Sequence, residues 1–254
     1  MKDKTLTTQQ ALRYSRQILL SGFDLEKQEI LINSSILIIG LGGLGCAAAQ
    51  YLVAAGVGQL TVVDDDTVET TNLQRQVLHF EDSIGHKKVD SACKTLTKLN
   101  HNVKINTVDK RLAFNELELL VKQHDLVVDC SDNLDTRNLL NDVCYQTNKP
   151  LVSGAAIRME GQIFCVIPAL KTACYRCVSH FFGEQNLSCV ESGVMSPVVG
   201  IVGATQANEV IKILSDYGQM AINKLQVFDA MESHWETFTV NPLPNCPTCS
   251  KTSV

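Results

Sequence analysis

A glycine-rich loop directly after a short apolar run is the feature that most constrains the fold. Residues 36–39 are all aliphatic, and Gly40, Gly42 and Gly45 follow at fixed spacing. Glycines in this pattern let the backbone approach a phosphate, and the N–H groups of the next helix point at the anion. Asp64 lies roughly 20 residues further on, where an acid binds ribose hydroxyls in this type of site. The pattern predicts a nucleotide site in an α/β fold, with NAD as the default ligand.

The alternation of apolar and amphipathic segments predicts one α/β domain over residues 1–254. We expect N-terminal helices over 1–33, a nucleotide-binding half over 34–150 and a mixed-sheet half over 151–254. The sheet is expected to be Rossmann-like and mostly parallel, continued by antiparallel strands, with helices on both faces. The predicted helices span about 8–18, 25–32, 44–55, 85–99, 115–122 and 199–214, and the later strands about 103–108, 125–130, 151–152, 162–167, 224–228 and 235–240.

Charge and hydropathy exclude two classes of partner. The formal net charge is -5, and no cluster of lysines and arginines is dense enough to bind a nucleic acid. Residues 34–63 carry no charge and could by length alone span a bilayer, but six glycines, Gln50 and Gln59 interrupt them. The first residues are polar and lack the apolar core of a signal peptide. We therefore expect a cytoplasmic protein that binds neither membrane nor nucleic acid.

The residues after Asp64 favour a ligand with more charge than NAD. Asn72 and Arg75 are one helical turn apart and share a face, and Lys88 follows. ATP carries about four negative charges, which need cationic side chains and usually Mg²⁺, whereas NAD carries two. Taken singly, Arg75 and Lys88 are more simply explained as solvated surface charges. Their position after the ribose-binding strand favours ATP.

A second apolar strand, over 126–129, is followed by Asp132. A carboxylate at the end of such a strand can hold a metal ion that bridges phosphates. The alternative is that Asp132 caps the helix that begins near Asn133, which is the commoner role for an isolated aspartate in this position. Both interpretations stay open at this point.

Four segments of the chain resemble the adenylating enzymes related to ubiquitin activation. They are the N-terminal run over 13–18, the glycine loop over 40–45, and the runs over 72–76 and 130–133. The resemblance covers nearly the whole chain. Within this family the MoeB type, the molybdopterin-synthase adenylyltransferases, is the most similar. The similarity to that type lies in the segments over 153–162 and 189–195, where the sister ThiF type, which serves thiazole synthesis, is less alike.

The resemblance implies that the protein adenylates the C-terminal glycine carboxylate of a small ubiquitin-like sulfur carrier, releasing pyrophosphate. The carrier of the MoeB type is the small subunit of molybdopterin synthase, which then receives sulfur as a thiocarboxylate. By position, Asp64 holds the ribose, Asn72, Arg75 and Lys88 stabilise charge during transfer, and Asp132 binds Mg²⁺. The full set of residues expected to bind ATP is Gly40, Gly42, Gly43, Asp64, Asp66, Thr71, Asn72, Leu73, Gln74, Arg75, Lys88, Asp132 and Asn133.

The resemblance also implies a homodimer, because Arg16 matches the family arginine that reaches the phosphates from the other subunit. One departure concerns Lys88, since relatives often have proline before this lysine, and its assignment therefore depends on the register with Val89. No rhodanese-like domain follows the last cysteine pair, so a separate protein is expected to donate the sulfur. The half over 151–254 is expected to bind the carrier.

The ten cysteines fall into three groups. Cys174 and Cys177, with Cys246 and Cys249, form two Cys-x-x-Cys pairs, which are the usual ligands of a structural zinc ion. The family places zinc at these positions; a redox role for the second pair is the alternative, but that pair lacks the strand-to-helix setting of a thioredoxin motif. Cys189 lies in a polar loop and could take part in sulfur transfer. The cysteines at 46, 93, 130, 144 and 165 fit packing, and the six histidines show no metal-ligand spacing.

Three rival functions remain open on the sequence. They are a ThiF-type enzyme acting on the thiamin sulfur carrier, an NAD-dependent oxidoreductase, and an inactive module that only docks a ubiquitin-like partner.

Overall fold

The computed structural model describes residues 4–181 and 193–251 and contains an eight-stranded mixed sheet in the order β3-β2-β1-β4-β5-β6-β7-β8. The strands are β1 (Ser35–Ile39), β2 (Gln59–Val63), β3 (Lys104–Val108), β4 (Leu126–Asp129), β5 (Leu151–Ile157), β6 (Glu160–Val166), β7 (Lys224–Asp229) and β8 (His234–Thr239). The helices are α1 (Thr8–Arg13), α2 (Ser15–Ile18), α3 (Asp24–Asn33), α4 (Gly43–Ala55), α5 (Lys88–Leu99), α6 (Phe114–Lys122), α7 (Leu134–Gln146), α8 (Tyr175–Ser179) and α9 (Ser196–Ser215).

The first five strands are parallel and the last three add antiparallel ladders, as the sequence predicted. The first five strands can be parallel because a segment that contains a helix connects each of them to the next and brings the chain back to the same end of the sheet. Strand β1 is buried on both faces: Ile36 and Ile38 enter the apolar cluster formed with α4, α5 and α9, while Leu37 enters the cluster formed with α6 and α7. All three side chains are fully buried. Helices therefore cover both faces of the sheet.

Strand order fixes where a ligand can bind. Strand β2 pairs with one edge of β1 and β4 with the other, so the connections after β1 and β4 run to opposite sides of the sheet. The loops at the carboxyl ends of these strands diverge and leave a crevice, which is where open α/β sheets bind nucleotides. The residues after β1, β2 and β4 all lie at this crevice.

Several predicted boundaries need correction. The first helix is interrupted at Tyr14, whose side chain is buried, and α5 begins at Lys88 rather than near Gly85. Strand β5 extends to Ile157 because it pairs along its whole length with β6, although Gly154 and the alanines after it have low strand propensity. In the parts of the chain that the structure describes, no helix combines the length and apolarity needed to cross a bilayer.

Candidate active site

A cavity of about 860 Å³ lies at the carboxyl ends of β1, β2 and β4. Most of the predicted nucleotide-binding residues line it, and polar and charged side chains make up much of its wall. From the predicted set, the cavity is lined by Gly40, Gly42, Gly43, Asp64, Asp66, Asn72, Arg75, Lys88, Asp132 and Asn133.

The glycine loop has a backbone that other residues cannot adopt. Gly40 has a φ of 94°, and a Cβ on it would lie 2.7 Å from the carbonyl oxygen of Cys130. A Cβ on Gly45 would lie 1.9 Å from the carbonyl oxygen of Gly40. The N-cap of α4 is Gly42, and no side chain caps the helix there. The first N–H groups of α4 are therefore available to an anion at the cavity wall.

Asp64 follows β2, and its carboxylate holds the glycine loop after β1 in place. One carboxylate oxygen accepts a hydrogen bond from the Leu41 N–H at 2.6 Å, and the other accepts one from the Asp66 N–H at 2.9 Å. A carboxylate that accepts two backbone N–H bonds is held in one orientation. Asp64 thus joins the ends of β1 and β2 and keeps a fixed negative group at the cavity wall.

The predicted cations are brought to the same cavity. Lys88 begins α5 with a side chain only 7% exposed, and its ammonium lies 2.7 Å from the Asp66 carboxylate, which is 66% exposed. The guanidinium of Arg75 donates a hydrogen bond to the Thr71 carbonyl at 2.9 Å, and Asn72 accepts one from the Glu69 N–H at 3.1 Å. Lys88 is a buried cation paired with a carboxylate that water can reach, so its charge remains available to a ligand.

Asp132 does not cap α7. The helix begins at Leu134, and its N-cap is Asn133, whose side-chain oxygen accepts a hydrogen bond from the Thr136 N–H at 2.9 Å. Asp132 is exposed at the cavity and accepts a hydrogen bond of 3.3 Å from the Asn133 amide. The capping interpretation of Asp132 is therefore wrong.

A fully buried carboxylate supports the loop that carries Asp132. Asp129, at the end of β4, accepts hydrogen bonds from the Ser131 N–H at 3.0 Å, the Ser131 hydroxyl at 2.6 Å and the Ser153 hydroxyl at 2.7 Å. Three donors satisfy a charge that would otherwise be costly to bury. Asp129 is thus a structural acid, whereas the nearby Asp132 faces the cavity.

Four residues predicted for the nucleotide site are not among the described residues that line the cavity: Arg16, Thr71, Leu73 and Gln74. Arg16 is exposed on α2. Cys189 lies outside the described residues. Two residues outside the predicted set of site residues also line the cavity: Gln76, which is buried, and Arg137, which is 8% exposed. Gln76 ends the run over 72–76 that carries the family resemblance, whereas no local motif marks Arg137, because only the packing of its helix brings it to the site.

The two cysteine pairs meet at one point. The sulfurs of Cys174, Cys177, Cys246 and Cys249 all lie within 4.8 Å of one another. The Cys174–Cys246 distance is 3.4 Å and the Cys177–Cys249 distance is 3.5 Å. A tetrahedral zinc ion with Zn–S bonds of about 2.3 Å separates its sulfurs by roughly 3.8 Å. The four residues can therefore hold a metal ion such as zinc.

Hydrogen bonds and charge at this cluster fit a cation. The Leu243 N–H donates to the Cys177 sulfur at 3.4 Å. Burial raises the pKa of the Cys174 thiol to about 12, and burial together with the neighbouring sulfurs raises the pKa of Cys249. Four thiolates at these distances repel one another unless a cation neutralises them, and a metal ion supplies that charge.

The remaining described cysteines fit the packing role that the sequence predicted for them. Cys46, Cys130, Cys144 and Cys165 are buried, and Cys93 is partly buried. Burial raises the pKa of Cys46 to about 12 and also raises that of Cys130, so these thiols are poor nucleophiles. Among the described residues, the cysteine cluster is the only group with metal-binding geometry.

The chain is similar to known proteins in both sequence and structure. Residues 14–248 match the ThiF family. The chain is 50% identical over 246 residues to the molybdopterin-synthase adenylyltransferase of Escherichia coli, covering 97% of this chain and 99% of the relative. It is 40% identical over 238 residues to the sulfur carrier protein ThiS adenylyltransferase of the same organism, covering 94% of each. The crystal structure of E. coli MccB with ATP superposes with a TM-score of 0.82 at 25% identity, covering 93% of this chain and 74% of MccB.

Proposed function

The chain belongs to the ThiF family, and on that premise we propose that it adenylates the C-terminal glycine carboxylate of the small ubiquitin-like subunit of molybdopterin synthase. The relative with 50% identity is a molybdopterin-synthase adenylyltransferase. A carboxylate oxygen of the carrier attacks the α-phosphorus of ATP, the bond from that phosphorus to the β-phosphate oxygen breaks, and pyrophosphate leaves. The observation that carries the proposal is the single cavity in which the glycine loop, Asp64, Arg75, Lys88 and Asp132 meet.

Each element of the cavity has a role in this reaction. The first N–H groups of α4, beside Gly42 and Gly43, bind phosphate oxygens. Asp64 binds the ribose. Asn72, Arg75 and Lys88 stabilise the negative charge that shifts onto the leaving pyrophosphate, because fixed donors aimed at developing charge lower the barrier. The short Lys88–Asp66 pair holds the ammonium at the wall before ATP arrives.

Mg²⁺ enters with ATP as part of the substrate, where it neutralises phosphate charge and polarises the reacting phosphoryl group. Asp132 is the residue that would hold it, since its carboxylate is exposed at the cavity and α7 takes its cap from Asn133. The neighbouring Asn133 donates to Asp132 and limits the directions in which that carboxylate can turn.

We assign a homodimer with two shared sites to the working enzyme. Arg16 is exposed on α2 and does not reach the cavity of its own chain among the described residues, so it would act in the site of a second copy. Leu12, Leu19 and Leu20 are 71%, 73% and 49% exposed on the same N-terminal segment. Apolar side chains grouped in this way are typical of a surface that a partner covers.

A structural zinc ion on the four cysteines is also part of the proposal. Cys246 and Cys249 belong to the segment after β8, whereas Cys174 is the N-cap of α8 and Cys177 lies within that helix. Zinc would join these two parts of the chain and take no part in the chemistry. The activated carrier then receives sulfur from a separate donor protein, and any role of Cys189 in that later step remains a prediction.

Incubation of the full chain with Mg²⁺-ATP and purified carriers tests the proposal. Intact mass of the carrier should show one AMP adduct on the molybdopterin-synthase subunit, with matching release of pyrophosphate. An adduct formed only on the thiamin carrier would instead support the ThiF-type alternative. NAD binding without ATP turnover, or carrier binding without an adduct, would contradict adenylation altogether.

A further inference from the structure

Arg137 connects the cysteine cluster to the loop that carries Asp132. The residue lies on α7, is 8% exposed and lines the cavity. Its guanidinium donates a hydrogen bond to the Ser131 carbonyl at 2.7 Å and lies 6.0 Å from the centre of the Tyr175 ring. Tyr175 stands directly after Cys174. One cation therefore contacts both the active-site loop and the residue next to a cysteine of the cluster.

The loop is held from two sides. Asp129 accepts hydrogen bonds from the Ser131 N–H and hydroxyl on the buried side, and Arg137 donates to the Ser131 carbonyl on the other. The Ser131 carbonyl belongs to the peptide unit that leads into Asp132. Fixing both the N–H and the carbonyl of Ser131 fixes the backbone from which the Asp132 side chain projects.

Two side chains on one face of α7 contact Tyr175. Arg137 and Asn141 are four residues apart and so lie on the same face of the helix. The Asn141 side-chain oxygen accepts a hydrogen bond from the Tyr175 N–H at 2.7 Å, and Arg137 lies over the Tyr175 ring. A guanidinium over an aromatic face is stabilised by the ring quadrupole, more strongly where water is excluded. Tyr175 is 7% exposed, so the contact is largely dry.

We propose that Arg137 is a positioning residue: Tyr175, which the neighbouring cysteine cluster keeps in place, holds its guanidinium, and the guanidinium in turn sets the orientation of Asp132 for Mg²⁺. The inference deepens the proposed function and rests on it, since it assumes that Asp132 binds the metal of Mg²⁺-ATP. On this inference the cysteine cluster does more than join two parts of the chain. Through Arg137 it also affects the orientation of Asp132 in the active site. Groups that orient a metal ligand typically change metal affinity by about 10- to 100-fold when they are replaced.

The test compares Mg²⁺ dependence in four variants of the full chain. Arg137→Lys keeps the charge and loses the planar fork, and Tyr175→Leu removes the ring. For both we expect the Mg²⁺ concentration that gives half-maximal pyrophosphate release to rise about tenfold, with kcat at saturating Mg²⁺ within about twofold of wild type. Tyr175→Phe keeps the ring, so its Mg²⁺ dependence should equal that of the wild-type chain. Arg176→Lys is the matched control, because Arg176 pairs with Asp142 at 2.6 Å and not with the loop.

A second readout is independent of turnover. Binding of a fluorescent ATP analogue, titrated with Mg²⁺, should shift in the same direction and by a similar factor in Arg137→Lys and Tyr175→Leu. Metal content and the unfolding midpoint of each variant show whether the cysteine cluster and the fold survive. If Tyr175→Leu loses its metal or fails to fold, Tyr175→Met removes the ring with a longer side chain and takes its place.

The outcomes separate the inference from the proposed function. If kcat falls at every Mg²⁺ concentration while the half-maximal concentration is unchanged, Arg137 contacts substrate directly and the positioning role is overturned. If Arg137→Lys shifts the Mg²⁺ dependence and the folded, ring-free Tyr175 variants do not, support from the cysteine cluster is overturned. Failure of the wild-type chain to adenylate any carrier would instead overturn the proposed function itself.

Discussion

Replacement of Asp132 by alanine should abolish adenylation and leave the fold almost unchanged. The side chain is exposed and accepts a hydrogen bond of 3.3 Å from the Asn133 side-chain amide, and α7 takes its cap from Asn133. The stability cost is limited to a long, exposed hydrogen bond and the favourable position of a carboxylate near a helix N-terminus, together about 1 kcal/mol or less. Loss of a magnesium-binding carboxylate should nevertheless lower pyrophosphate release by about 100-fold or more.

Two neighbouring substitutions provide matched controls. Asn133→Ala removes the cap bond to the Thr136 N–H and should cost about 1 kcal/mol of stability. In the wild-type chain three donors bond to the Asp129 carboxylate. Asp129→Asn replaces one of its oxygens by an NH₂ group that cannot accept them, which should lower the free energy of unfolding by about 2–4 kcal/mol. Asp129 should therefore matter most for stability and Asp132 most for activity.

Urea unfolding followed by circular dichroism gives the free energy of unfolding, and intact mass of the carrier gives the adduct. A folded Asp132→Ala chain that forms adduct at more than about a tenth of the wild-type rate would refute the metal role. A loss of about 2 kcal/mol or more in that variant would show that the side chain is structural, and the argument from the cap of α7 would fail.

Three further predictions follow from the described contacts. The wild-type chain should contain about one zinc per chain by elemental analysis, and serine at both Cys246 and Cys249 should remove it and lower the unfolding midpoint; a metal-free wild type purified without chelators would contradict this. Lys88→Met should reduce kcat for pyrophosphate release by about 100-fold, whereas Lys87→Met, a control at a half-buried lysine that pairs with Asp109, should stay near wild type. Burial lowers the pKa of His79, so the unfolded chain takes up the proton first and the free energy of unfolding should fall as pH drops below about 6.5; His79→Gln should flatten that dependence in urea titrations.

The parts of the site that the sequence predicted are those where one local segment determines both position and chemistry. Gly40 and Gly45 need the absence of a Cβ because the backbone packs on itself within a few residues, so their spacing is visible in the sequence. Asp64 and Asp132 follow apolar strands, and the ends of parallel strands meet at one edge of the sheet. The cavity could be anticipated for that reason.

Contacts between distant segments could not be predicted in the same way. Strand β5 was expected only over the apolar run 151–152, but its pairing with β6 along the whole hairpin extends it through Gly154, whose own strand propensity is low. Capping is the commoner role of an isolated aspartate before a helix, and only the position of Asn133 at the N-cap of α7 excludes it for Asp132. Propensity describes what a residue prefers alone, whereas these outcomes depend on partners that arrive from elsewhere.

The proposed role of Arg137 links two motifs, the cysteine pairs and the glycine loop, that lie far apart in the sequence. The two Cys-x-x-Cys pairs and the glycine loop are each recognisable in isolation, yet neither motif contains the residue that joins them. That residue lies on α7, whose first turn follows the Asp132 loop and whose Asn141 accepts a hydrogen bond from the N–H of Tyr175, the residue after Cys174. Because one helix contacts both places, the proposed role of Arg137 predicts that a change at the cysteine cluster reaches the loop through packing and hydrogen bonds without any large motion. The placement of α7, more than either motif, brings the cysteine cluster and the cavity into contact with the same element.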